Sequence, residues 1–95
     1  MENDFSILSA PNIERAVLGA MLIDSDAVGK AMELIKPETF YKPVNQVIYK
    51  AAVDMYNKNL PVDPLTVTEH LRKTGELENV GGEVSIFALM AEATT

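Results

Sequence analysis

The sequence contains no cysteine. That removes disulfides, zinc thiolate sites and thiol nucleophiles together, and leaves a chain suited to a reducing cytosol. Basic residues are scarce: eight stand against 14 acidic side chains, for a formal charge of −6. Proteins that grip nucleic acid usually carry a basic patch or stripe that releases counterions from phosphates. The longest basic cluster here is the pair Arg72-Lys73, so direct DNA binding is not expected. Long apolar runs are missing too, since the longest, Ala16 to Ile23, falls well short of the ~20 residues that cross a bilayer. The opening Met1-Glu2-Asn3-Asp4 lacks the basic start of a secretory signal. A cytoplasmic location away from membranes is the expectation.

Catalytic and ligand-binding patterns are equally sparse. A phosphate-cradling loop places glycines at fixed offsets before Lys-Ser/Thr. The only Gly-Lys, Gly29-Lys30, has Asp24 where the first glycine belongs and Ala31 where the hydroxyl belongs. His70 is the single histidine, beside Glu69 and Arg72, and no serine sits in a nucleophile elbow. One histidine without cysteine leaves only carboxylates for a metal, and Asp24, Asp26 and Glu33 do not recur at the alternate positions of a calcium loop. Asp24 and Asp26 read better as a solvated helix end. No catalytic, cofactor-binding or metal-binding residue is expected. The aromatics Phe5, Phe40, Tyr41, Tyr49, Tyr56 and Phe87 are not interleaved with basic residues as a stacking platform would be.

What is present is helical periodicity. With 95 residues, 47% apolar and 23% charged, the chain is long enough for one globular core. Residues 1–10 read as a loose arm, and residues 11–95 as one domain. From Asn12, read as an N-cap, Ile13, Val17, Leu18, Ala20, Met21 and Leu22 fall three and four apart, marking a helix with a wide apolar face. After Asp24-Ser25-Asp26, Val28, Ala31, Met32 and Ile35 mark a second. Pro37 stops it, and Pro37 to Tyr41 reads as a turn tucking one or two aromatics inward. Pro43 opens a third helix, with Val44, Val47, Ile48, Ala51 and Met55 in one stripe and Tyr49, Ala52 and Tyr56 beside it. Asn57-Lys58-Asn59 ends it without a strong cap.

A fourth helix starts at Asp63-Pro64, with Thr66 to Glu69 offering a competing capping box, and should turn Leu65 and Leu71 inward. Gly75 is its C-cap, and Gly81-Gly82 a tight turn before a fifth helix carrying Val84, Ile86, Phe87, Leu89 and Met90. Strand-like alternation never persists. The expected fold is all-α, a compact orthogonal bundle of about five to six short helices. Gly19 lies inside the most apolar helix, where glycine costs about 1 kcal/mol against alanine. A neighbouring helix backbone, of this chain or another, should approach it closely. The end at Ala93-Thr94-Thr95 has neither a charged tail nor a stop signal, as expected of a piece of something longer.

Four segments taken in order resemble a known family. They are Glu14-Arg15-Ala16-Val17-Leu18-Gly19-Ala20-Met21-Leu22-Ile23-Asp24, Leu34 through Tyr41, Gln46 through Ala51, and Leu60 through Thr66 continuing to Gly75-Glu76-Leu77 and Val80-Gly81-Gly82. Over residues 11 to 95 the chain resembles the N-terminal domain of the bacterial replicative DNA helicase of the DnaB type. The resemblance implies a non-catalytic collar domain of a hexameric ring that self-associates as dimer or hexamer and contacts primase, with a helicase loader as a further partner. ATP and magnesium would bind a separate motor domain that unwinds DNA, and no cofactor is implied in these residues.

Three positions depart from the family's habits. Asn12 stands where an acidic residue is common, Asn45 where histidine is common, and Ser85 before Ile86 where an aromatic usually precedes a leucine. The resemblance makes Asn12, Glu14, Ser85 and Glu92 the partner-surface candidates, with Val17, Met21, Val47, Ile48 and Leu71 as core. Alternative readings are the helicase-binding C-terminal domain of a primase, a stand-alone helical adaptor, or a small helical enzyme or carrier with a pocket lined by Tyr41, Tyr49 and His70.

Overall fold

Proline sets three of the helix starts. In a computed structural model, which describes residues 11–93 apart from the side chains of Pro11 and Asn12, helices α1 (Pro11–Ile23), α3 (Pro43–Asn57) and α4 (Pro64–Thr74) each begin at a proline. Its fixed φ suits the first helical position, and its missing N–H is one the helix could not have paired anyway. Helices α2 (Asp26–Leu34) and α5 (Gly82–Ala93) and two short 3-10 turns, Pro37–Thr39 and Glu78–Val80, complete the described residues, which include no strand. The expected arm, residues 1–10, lies outside the described residues. Because α1 starts at Pro11, Asn12 belongs to its first turn rather than capping it.

The remaining ends follow from local chemistry. Asp24 Oδ1 accepts from the Asp26 N–H at 3.0 Å and so opens α2. At α4 the two possible caps resolve in favour of Asp63: its carboxylate accepts from Thr66 N at 2.8 Å while Thr66 Oγ1 accepts from Asp63 N at 3.0 Å. The end of α3 is better capped than the sequence suggests. Asn59 adopts φ 60°, Leu60 N donates to Met55 O at 2.9 Å, and Asn59 N donates to Tyr56 O at 3.0 Å. Those paired bonds form a Schellman motif, with asparagine taking the left-handed position that glycine more often fills. After α4, Gly75 takes that role itself at φ 79°.

Helix α3 supplies the largest share of the core of any element, burying Ile48, Tyr49, Ala51, Ala52 and Met55. Leu18, Met21 and Leu22 of α1, Val67 and Leu71 of α4, and Ile86 and Leu89 of α5 close around it, with Phe40 and Val80 entering from the turns. The expected core residues Met21, Ile48 and Leu71 are buried, while Val17 and Val47 pack against the core half-exposed. Leu65 does not turn inward; it is 62% exposed. The inner face of α4 carries Pro64, Val67, Thr68 and Leu71, and Leu65 lies about 100° around the helix from Pro64.

Gly19 is where α1 and α5 meet. A Cβ built there would lie 2.1 Å from the Leu89 carbonyl oxygen and 3.0 Å from the Ala93 Cβ. The close approach expected from the sequence is thus made within the chain.

Candidate interaction surface

Of the four partner-surface candidates, the structure removes one from the surface. Glu14 is 0% exposed. Its carboxylate accepts from Tyr41 N at 2.6 Å, Asn45 Nδ2 at 2.6 Å and Lys42 N at 3.4 Å. The position has a clear physical reason. The first turn of a helix leaves backbone N–H groups without intrahelical partners and carries the positive end of the helix dipole. Lys42, which flanks α3, offers no side-chain cap. Glu14 supplies the anion from another helix, accepting from the backbone N–H groups of Tyr41 and Lys42 immediately before α3, and Asn45 in the first turn gives it a side-chain donor. The surface role assigned to Glu14 from the sequence is therefore corrected: a charged side chain saturated with donors belongs to the interior.

The other candidates separate. Glu92, on the last turn of α5, faces Arg15 Nε at 3.7 Å and ties α5 to α1. Ser85 is half-buried and lies under Gly81, whose left-handed φ of 100° would strain any other residue. It precedes Glu92 by seven residues, about 10 Å along the helix. The backbone of Asn12 lies in the first turn of α1, and its side chain is outside the described residues. Arg15 thus brings Glu92 to the helix that carries Asn12, while Ser85 sits apart.

Sequence reasoning missed the outward apolar side chains. On α5, Ile86 and Leu89 are buried, but Val84 is 78% and Phe87 46% exposed, and with Ala88 and Glu83 they line a shallow apolar depression. An almost wholly apolar helix shows no polar face from which its orientation can be read. Leu34 and Tyr41 are also strongly exposed, at 84% and 72%.

The pocket of Tyr41, Tyr49 and His70 does not form. Tyr49 is buried, with its hydroxyl donating to Ile35 O at 2.7 Å, and burial pushes its pKa up. Tyr41 stands in solvent, while His70 lines a groove with Leu60 and Leu65 and lies 3.7 Å from Asp54 Oδ2. Among the described residues no three His, Asp or Glu side chains converge as metal ligands. No helix of the described residues is long and apolar enough to cross a membrane.

Residues 7–95 match the family model described as the DnaB-like helicase N terminal domain. The chain belongs to this family. Among curated relatives it is 48% identical over 80 residues to the replicative DNA helicase DnaB of Rhodothermus marinus, covering 84% of this chain and 8% of that protein. It is 40% identical over 80 residues to the Geobacillus stearothermophilus DnaB, covering 84% of this chain and 17% of the relative. The crystal structure of the N-terminal domain of DnaB helicase from Mycobacterium tuberculosis superposes with a TM-score of 0.83 at 35% identity, covering 86% of this chain and 59% of that one. The all-α fold is thus that of a DnaB N-terminal domain, and the reading as a primase domain is set aside. The chain spans less than a fifth of the length of these curated relatives.

Proposed function

We propose that this chain acts as a non-catalytic assembly domain: the N-terminal collar of a hexameric replicative DNA helicase, which self-associates and contacts primase at the replication fork. The observation that carries this is the match over residues 7–95 to the helicase N-terminal domain family, in relatives of which the matching segment is a small share. ATP and magnesium then belong to the motor domain of the parent, which works in the cytoplasm, and a helicase loader is a further partner of the ring. The net charge of −6 supports contact with protein rather than directly with DNA. Outward Val84 and Phe87 on α5 suit self-association, since apolar patches on small domains commonly mark interfaces. Asn12, Ser85 and Glu92 remain the partner-surface candidates.

Sedimentation equilibrium of the 95-residue chain, alone and mixed with the helicase-binding domain of its own primase, tests the reading. Concentration-dependent dimers and a heavier mixed species are expected. A monomer throughout, with no mixed species, would overturn it.

A further inference from the structure

We draw no further inference here: the strongest candidate, the apolar groove that Leu60, Pro61 and Leu65 line between the end of α3 and the outer face of α4, carries nothing because nothing in the structure shows what covers it.

Discussion

Replacing Glu14 should unfold this domain more readily than any surface substitution, although glutamate is a residue usually found in water. In Glu14→Ala the Tyr41 N–H and the Asn45 amide lose acceptors at 2.6 Å, and the weaker contact to Lys42 N at 3.4 Å goes with them. A hydrogen bond to a charged group contributes about 1.5–3 kcal/mol, and stranding a buried donor costs about 1–3 kcal/mol. These terms overlap, so the expected loss is about 3–5 kcal/mol, a large share of the ~5–15 kcal/mol that holds a small domain. With about 4–8 °C per kcal/mol for a domain of this size, the melting temperature should fall by roughly 20 °C. Glu14→Gln keeps one acceptor oxygen but turns an NH2 toward donors, and should lose about 2–3 kcal/mol. Urea denaturation followed at 222 nm measures both, and a cycle with Asn45→Ala should return a coupling energy of about 1–2 kcal/mol. A Glu14→Ala variant within about 1 kcal/mol of wild type would refute the capping argument.

Other outcomes follow from the same packing. Gly19→Ala places a methyl group against the Leu89 carbonyl and should destabilise by at least about 2 kcal/mol through overpacking, measured by chemical denaturation. Leu71→Ala should lose about 2–5 kcal/mol, whereas Leu65→Ser, on the exposed side of the same helix, should stay within about 0.5 kcal/mol; reversed values in paired melts would contradict the α4 orientation. Tyr49 has its pKa raised by burial, so its protonated form is favoured in the folded state. Its contribution is fully present below the unfolded tyrosine pKa of about 10 and is lost as pH rises through the higher folded value. Alkaline titration of stability should therefore show a decline above about pH 10 that Tyr49→Phe reduces, while that variant loses about 1 kcal/mol at neutral pH with the bond to Ile35 O.

Much of the fold was legible because its signals are local. Pro43, Asp63-Pro64, Gly75 and Gly81-Gly82 mark boundaries through their own backbone chemistry, and the stripe from Ile48 to Met55 identifies a buried face by spacing alone. Gly19 announced a close helix contact because an apolar helix interior has little other use for glycine. The candidate surface was harder to read. Glu14 meets its donors 27 to 31 residues away, and no local spacing announces a carboxylate that caps someone else's helix. Leu65 was misplaced because one residue of helix is a turn of about 100°, enough to carry an apolar side chain from core to solvent. On α5, apolar residues all round hid which side faced outward. The cap formed by Asn59 escaped notice because it is written in backbone bonds to Met55 and Tyr56 rather than in a glycine.

On the proposed function, these residues assemble and recruit rather than catalyse. The most direct test removes residues 11–93 from the full-length helicase, confirms ring formation by electron microscopy, and measures DNA-stimulated ATP hydrolysis beside primase-dependent primer synthesis. The account predicts that assembled rings keep their ATPase while stimulation of primer synthesis is lost. Rings that stimulate primer synthesis unchanged without the domain, or that assemble but no longer hydrolyse ATP, would contradict it.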